Sequence, residues 1–201
     1  MPIRLQVFED RYLEMVHACM DQDLPFGVVL IKEGREALGP LPIPYEMGCL
    51  TAIQRINHQE DGHLNLVGQG TERIEILNVL RDGPYLQAVI RERPLIGVDS
   101  AEAIQLAQHL QPLLARYLVE LAAIKYHDVD PPDLPSQTQR LAYLTCSLLQ
   151  IPSNEKQLLL SEENANQLLA RLVRTLQLEI PLLRMTRERG RPNMIGAFGV
   201  N

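Results

Sequence analysis

Ser153 and Lys156 stand three residues apart, in the S-x-x-K spacing of some serine hydrolases. One turn of helix would set this lysine beside the hydroxyl of the serine. The companion S-D-N and K-T-G motifs of those hydrolases do not occur in the chain. Because Ser153 directly follows Pro152, we interpret it as the cap of a helix. A hydrolase that uses Ser153 and Lys156 is the alternative interpretation.

The stretch LVGQGTERIEI, residues 66–76, contains a Gly-x-Gly pair, Gly68 and Gly70. A phosphate-binding loop needs a helix after its glycines, so that the amino end of the helix faces the phosphate. The residues after Gly70 instead alternate with period two, which predicts a strand. The glycine pair therefore predicts a bend or bulge where two strands cross.

The sequence shows no complete set of metal ligands. His58 and His63 flank one predicted turn, but no third ligand is evident. Asp128, Asp130 and Asp133 lack the glycine and the late glutamate of a calcium loop. We therefore expect no catalytic residue, no metal site and no cofactor.

The composition favours a protein of a reducing, aqueous compartment. The cysteines Cys19, Cys49 and Cys146 are odd in number and form no C-x-x-C, which indicates free thiols. The longest apolar run, 26–31, is too short to span a bilayer, and charged residues occupy the start, where a signal peptide needs an apolar stretch. We expect a cytoplasmic protein without a membrane partner. Acidic residues (25) outnumber lysine and arginine (19), which disfavours nucleic acid.

The first half of the chain alternates between short apolar runs and turn residues, which is typical of an antiparallel sheet or small barrel. Apolar residues at helical spacing predict a short helix at 9–21. Asp61-Gly62 predicts a hairpin turn, since glycine supplies the positive φ that such a turn needs. Strands are predicted at 26–32, 48–57, 63–68, 71–80 and 85–93.

The second half of the chain is helical in pattern. Ser100 is predicted to cap the first helix, and Pro112 to kink or restart it. A linker follows at 127–137, and further helices are predicted at 137–149, 154–160 and 162–183. The predicted domains are a β-rich part at 1–97, a helical bundle at 98–186 and a flexible tail at 187–201.

Several motifs together resemble the amino-terminal domain of Lon-type ATP-dependent proteases. The pattern of that family is a Y-E-x-G, a strand, a D-G hairpin and then V-x-G-x-x-R-x-x-I, preceded by P-L-x-I-F-E-x-R-Y. The matching residues are Tyr45, Glu46, Gly48, Asp61, Gly62, Val67, Gly68, Gly70, Arg73 and Ile76, with Pro2, Leu5, Val7, Phe8, Glu9, Arg11 and Tyr12. The segment LAYLTCSLLQIPSNEKQLLL also resembles the helical part of that family, and the resemblance covers about residues 2–185.

The resemblance implies an α+β fold, with a PUA-like β pseudo-barrel that carries one short helix, followed by a helical bundle. It also implies recognition of unfolded or tagged polypeptides without the ATPase and peptidase modules, so we expect a stand-alone, non-catalytic binding protein. A separate ATP-dependent protease is then an expected partner. The family usually opens with a further strand, so we expect Met1 to be an internal residue of a longer product, and the sheet to have an open edge that allows a homo-oligomer.

Candidate contacts for a bound polypeptide are Tyr45, Arg55, Arg81 and Tyr85, because aromatic residues and arginines dominate binding hot spots. The alternative function is a PUA-like nucleic-acid binder. That function predicts a clustered basic face, whose candidate residues are Arg55, Arg73, Arg81, Arg91 and Arg93.

Overall fold

The computed structural model of the chain describes residues 2–35, 42–124 and 133–190. The fold is α+β, as the sequence predicted, with an antiparallel sheet in the first half of the chain and mostly helices after it. The elements in chain order are β1 (Pro2–Val7), α1 (Asp10–Asp21), β2 (Phe26–Glu33), β3 (Ile43–His58), β4 (Leu64–Leu80), β5 (Gln87–Glu92), α2 (Ala101–Ile124), α3 (Thr138–Leu148), α4 (Ser153–Ser161) and α5 (Ala165–Gly190).

The chain forms two compact units, and the first is built from two separate stretches of sequence. The sheet unit contains Met1–Leu95 together with Leu149–Glu163, so it includes α4. The helical unit contains Ile96–Leu148 and Asn164–Asn201. The predicted domains at 1–97 and 98–186 remain a prediction, although α4, which lies within 98–186, falls in the sheet unit.

Strand β4 is the centre of the sheet because three other strands pair with it. Its first half pairs with β1 and its second half with β5, both antiparallel. The long strand β3 pairs antiparallel with β4, and β2 pairs with β3. The predicted hairpin at Asp61-Gly62 joins β3 to β4, and Gly62 has a φ of +84°.

The core of the sheet unit lies between the sheet and α1. Val16 of α1 is fully buried and packs with the β4 residues Leu64 and Leu66. Val7 and Phe26 complete this cluster. Burial of such a side chain contributes about 1.5–3 kcal/mol, so this cluster stabilises the packing of α1 on the sheet.

Gly68 and Gly70 lie inside β4, as a strand and not as the start of a helix. The pairing of β3 with β4 shifts register between Leu50 and Thr51, beside Gly70, and again between Ile53 and Arg55, beside Gly68. A Cβ at Gly68 would lie 2.4 Å from Cγ2 of Thr51. The predicted bend or bulge is therefore confirmed, and glycine is required at 68 because the strands approach closely.

Arg73 is a buried cation that joins β4 to β5 and to the end of α4. Only 6% of its surface is exposed. Its Nε donates to the carbonyl oxygen of Arg93 at 2.8 Å. Its Nη1 donates to the carbonyl oxygens of Leu160, at 3.0 Å, and Glu162. Carbonyls at the end of a helix lack partners within the helix, so this guanidinium satisfies groups that would otherwise be unpaired.

Two further contacts hold α4 and the residues after it in the sheet unit. Gln157 of α4 is buried, and its Nε2 donates to the carbonyl oxygen of Met47 in β3 at 2.9 Å. Arg93 forms an ion pair with Glu163. These side-chain contacts explain why a segment from the helical half of the sequence belongs with the sheet.

The helical unit is held by apolar burial and by one buried carboxylate. Helices α2 and α5 bury apolar stripes at helical spacing, including Leu114, Leu172 and Leu176. Glu120 of α2 is 5% exposed and lies between two arginines of α5. Nε of Arg184 is 2.5 Å from one carboxylate oxygen and Nη1 of Arg187 is 2.8 Å from the other. No helix among the described residues meets the length and hydropathy of a membrane span.

Several predicted boundaries differ from the structure, and one predicted cap is wrong. Pro152 occupies the N-cap position of α4 and no side chain caps the helix, so Ser153 lies one position too far along to do so. Ser100 does cap α2, because its Oγ accepts from the amide of Ala103 at 3.1 Å. Helix α2 does not restart at Pro112.

The remaining differences concern where elements begin and end. The strands predicted at 63–68 and 71–80 form the single strand β4, because a bulge bends a strand without ending it. Helix α5 continues to Gly190, so the predicted tail begins with helical residues. The rest of the tail, 191–201, and residues 127–132 of the predicted linker lie outside the described residues.

The close approach at Gly68 predicts that Gly68→Ala destabilises the protein. The new methyl group meets Cγ2 of Thr51 at 2.4 Å and Cγ2 of Ile3 at 3.3 Å, both on β-branched side chains of low freedom. We expect a loss of about 1–3 kcal/mol in the free energy of unfolding, measured by urea denaturation. Gly83→Ala is the control, since its Cβ would approach no atom closer than 3.6 Å. Equal effects of the two substitutions would contradict the steric explanation.

The contacts of Arg73 predict a larger effect for Arg73→Met, which keeps the apolar stem but removes every donor. The carbonyls of Arg93, Leu160 and Glu162 would lose this donor in a buried place. We expect a loss of about 2–4 kcal/mol in the free energy of unfolding. Arg55→Met, at an exposed position of the same sheet, should change stability by less than about 0.5 kcal/mol. Similar midpoints for the two variants in urea would show that the buried guanidinium contributes little.

Candidate functional site

Exposed apolar side chains gather at one end of the sheet, where β3 begins, β4 ends and β5 pairs with β4. Nη2 of Arg81 lies 3.5 Å from the carbonyl oxygen of Pro42, so the residue after β4 reaches the residue before β3. Four apolar residues at this end are 39–49% exposed, namely Ile43, Leu77, Leu80 and Val89. Together with Tyr45, Arg81 and Tyr85, we call them the sheet-end surface.

The β4–β5 pairing explains how Leu77 becomes exposed. Ile76 pairs with Ile90 and Asn78 pairs with Val89, so Leu77 has no partner in β5. Such an extra residue is a bulge, which redirects a side chain and interrupts the pairing. Leu77 is 47% exposed as a result. An apolar side chain exposed at a bulge is available for contact with another molecule.

Three of the four predicted contact residues are near this end of the sheet, and one is not. Tyr45 is the third residue of β3, Arg81 directly follows β4, and Tyr85 precedes β5. Tyr45 and Tyr85 are half-buried, and Arg81 is exposed. Arg55 is exposed but lies ten residues along β3 from Tyr45, which is about 33 Å at the usual rise of a strand.

The sequence alone does not identify the apolar members of the sheet-end surface, although it contains one signal for Leu77. The alternation in β4 assigns Arg73 and Glu75 to one side and Ile74 and Ile76 to the other. Leu77 falls on the side of the charged residues, and an apolar residue at a polar position indicates a contact site. Leu80 and Val89 become recognisable only from the pairing, which places the start of β5 beside the end of β4.

The arginines proposed for a nucleic-acid surface do not form a free basic face. Arg73 is buried and binds backbone carbonyls, so its inclusion in that face is wrong. Arg91 and Arg93 lie 3.8 and 3.7 Å from a carboxylate oxygen of Glu75. The carboxylate of Glu75 partly neutralises these arginines, which reduces the positive charge available to bind phosphates.

Ser153 and Lys156 occur in the first turn of α4, in the sheet unit. Ser153 is exposed, and the amide of Lys156 donates to the carbonyl oxygen of Pro152 at 3.0 Å. Their spacing places them on one side of the helix. A nucleophile also needs a site that excludes water and binds the substrate carbonyl. An exposed serine at the start of a helix offers little of this environment.

His63 contacts two neighbouring side chains of the sheet unit. Nδ1 of His63 is 2.9 Å from Oδ2 of Asp61, within the hairpin, and its ring meets the ring of Phe8 edge-on at 5.9 Å. Within residues 2–35, 42–124 and 133–190, no group of three or more histidine, cysteine, aspartate or glutamate side chains is placed to hold a metal ion.

Cys19 and Cys49 are partly buried thiols, and this burial disfavours their thiolate forms. Burial raises the pKa of the Cys19 thiol, and burial is also the largest influence that raises the pKa of the Cys49 thiol. A raised pKa keeps a thiol protonated at neutral pH, and the thiolate is the reactive form. Cys19, Cys49 and Cys146 form no disulfide within the part of the chain that the structure describes.

Two curated relatives align with most of this chain. Lon protease 1 of Herpetosiphon aurantiacus is 28% identical over 171 residues, which cover 79% of this chain and 20% of that protein. The Lon protease of Syntrophus aciditrophicus is 24% identical over 192 residues, which cover 90% of this chain and 23% of that protein. The chain therefore spans about a fifth of the length of these relatives.

Solved structures share the fold. The crystal structure of a Lon N-terminal domain protein from Xanthomonas campestris superposes with a TM-score of 0.62 at 23% identity, over 86% of this chain and 88% of that chain. The N-terminal domain of the Lon protease of the Mycobacterium avium complex gives a TM-score of 0.64 at 17% identity, over 88% of this chain and 90% of that chain.

The family model of the substrate-binding domain of ATP-dependent protease La (LON) matches residues 1–177. This match covers most of the 201 residues, including the whole sheet unit and most of the helical unit. The chain therefore belongs to the family of LON substrate-binding domains.

Proposed function

We propose that the chain binds segments of unfolded or tagged polypeptides at the sheet-end surface, and does not cleave them. The observation that carries the proposal is the group of exposed apolar residues at the end of the sheet, in a member of a substrate-binding family. An unfolded polypeptide differs from a folded one chiefly in its exposed apolar side chains. A surface that offers apolar contacts therefore selects for unfolded chains.

The composition of the sheet-end surface suits contacts with many different sequences. Leu77 and Leu80 offer apolar area without a demand for direction, while Tyr45 and Tyr85 offer ring faces of low conformational freedom. Arg81 adds donors that match backbone carbonyls or acidic side chains. Such a surface supports modest affinity with little sequence preference, which suits a module that must accept many clients.

The relatives suggest where such binding would be used. They are Lon proteases, and this chain aligns with about a fifth of their length. We propose that ATP-dependent proteolysis acts on the bound polypeptide through another module or a separate partner, while the described residues supply binding. The same proposal places the protein in quality control of the cytoplasm.

The double substitution Leu77→Ser with Leu80→Ser tests the surface. Loss of two exposed apolar side chains should weaken binding about 10- to 30-fold, since each contributes about 1 kcal/mol when a ligand covers it. The ligand is a fluorescein-labelled, reduced and alkylated protein that cannot fold, and binding is measured by fluorescence anisotropy. The folded form of the same protein should bind no more than weakly.

Leu24→Ser is the matched control, because Leu24 is also an exposed leucine of the sheet unit, at 53%, but follows α1 and lies away from the end of β4. It should change the dissociation constant by less than about twofold. Equal losses in Leu24→Ser and in the double variant would contradict a localised site. No binding by the unsubstituted protein would contradict the proposed function itself.

The absence of cleavage is tested with Ser153→Ala. The purified protein should not hydrolyse casein, with or without ATP, and Ser153→Ala should bind unfolded polypeptide as tightly as the unsubstituted protein. Fragments are detected by gel electrophoresis and mass spectrometry. Cleavage that disappears in Ser153→Ala would support the hydrolase alternative. Cleavage that persists in this variant would indicate a different catalytic group.

A further inference from the structure

Strand β5 has one edge paired with β4 and one edge that no other described strand pairs with. All six of its residues are exposed. An unpaired edge presents a row of backbone donors and acceptors at regular spacing. The direction of each donor can be derived, because successive residues of a strand turn their amides to opposite edges.

The phase of this alternation is set by one hydrogen bond. The amide of Arg93 donates to the carbonyl oxygen of Arg73 at 2.9 Å, so Arg93 turns its amide toward β4. The only register shift between the strands skips Leu77 of β4 and no residue of β5. The alternation therefore continues back along β5 without a break. Arg91 and Val89 turn their amides toward β4, whereas Glu92, Ile90 and Ala88 turn theirs to the outer edge.

The outer edge thus carries three amides and their carbonyls about 6.6 Å apart, since two residues of a strand span that distance. Only a backbone in the extended conformation matches this repeat. A helix satisfies its own amides, and a folded surface without a free strand presents none at this spacing. The edge therefore selects an extended polypeptide segment as its occupant.

The side chains of β5 favour apolar residues in that segment. Val89 is 49% exposed and Ile90 is 38% exposed, and as successive residues of a strand they lie on opposite faces of the sheet. An added strand would cover both. Charged residues and prolines usually protect an exposed edge strand, but residues 87–90 include neither. The charges of Arg91 and Glu92 lie at the far end of the strand.

From this geometry we infer that a client polypeptide binds by adding as a strand to the outer edge of β5, through hydrogen bonds to the backbone of Ala88, Ile90 and Glu92. The inference rests on the proposed function and specifies its mode of binding. It also extends the sheet-end surface, since Val89 belongs to both. Backbone hydrogen bonds do not read side chains, so this mode accepts many sequences.

Ala88→Pro tests the inference at a position where proline removes only an outward amide. Proline is tolerated in edge strands where the amide faces away from the sheet, so the pairing of β5 with β4 should persist. The probe is a short fluorescein-labelled peptide of alternating valine and threonine with charged ends. We expect Ala88→Pro to bind it at least about tenfold more weakly than the unsubstituted protein, by fluorescence anisotropy.

Ala88→Val is the matched control, because it adds a β-branched side chain and keeps the amide. It should bind the peptide within about threefold of the unsubstituted protein, and circular dichroism should show the same fold for both variants. Equal binding by Ala88→Pro and Ala88→Val would overturn the inference and leave the proposed function intact. If the unsubstituted protein binds the unfolded protein but not this peptide, the inference is overturned and the proposed function stands; if it binds neither, both are overturned.

The peptide supplies a second measurement that does not depend on the folding of a variant. Methylation of alternate amides blocks one edge of an extended peptide and leaves the other edge able to pair. With the unsubstituted protein, peptides methylated along one edge should bind at least about tenfold more weakly, and those methylated along the other edge should bind normally. Equal effects of the two methylation patterns would overturn strand addition.

A second copy of the chain is the competing occupant of the edge. Light scattering of the unsubstituted protein without peptide distinguishes the two. A monomer supports the edge as a site for clients. A dimer that Ala88→Pro converts to monomer, and that peptide does not dissociate, would overturn the assignment to a client polypeptide.

Discussion

The hydrogen bonds of Arg73 are the interaction on which the rest of the sheet unit depends. Its side chain donates to the carbonyl of Arg93, while its own carbonyl accepts from the amide of Arg93, so β4 and β5 are joined twice at this point. The same guanidinium donates to the carbonyls of Leu160 and Glu162. Burial of a guanidinium costs free energy unless its N–H groups form hydrogen bonds, and carbonyls from two distant segments accept those bonds. One side chain therefore positions the edge strand and the end of α4 together.

Local pattern was sufficient for most elements and insufficient for Arg73. The alternation of Arg73 and Glu75 with Ile74 and Ile76 correctly predicts a strand, but it assigns Arg73 to the solvent-exposed face of that strand. Its burial comes from a segment 87 residues away, and no local period contains that information. The hairpin at Asp61-Gly62 and the cap at Ser100 were predictable because both are made by neighbours in sequence. Ser153 shows the limit of such reasoning, since the helix begins one residue earlier than its cap would require.

The candidate site was partly visible in the sequence. Residue type alone indicates Tyr45, Arg81 and Tyr85, and the pairing of β3, β4 and β5 brings all three to one end of the sheet. The same choice by type included Arg55, which lies far along β3. Residue type indicates what can bind, but only the register of the strands determines which residues are neighbours. The exposure of Leu77 depends on a bulge, a feature that arises from two strands and not from either alone.

The sheet unit is assembled from two stretches of chain, Met1–Leu95 and Leu149–Glu163, and this order matters while the protein is being made. β1 to β5 leave the ribosome before α4, so Arg73 is synthesised before the carbonyls of Leu160 and Glu162 that it binds. Contacts between residues far apart in sequence form slowly because closure of a long loop costs entropy. The residues of α2 and α3 are also synthesised before those of α4. The contacts of Arg73 with Leu160 and Glu162 are therefore among the last that the sheet unit can form during synthesis.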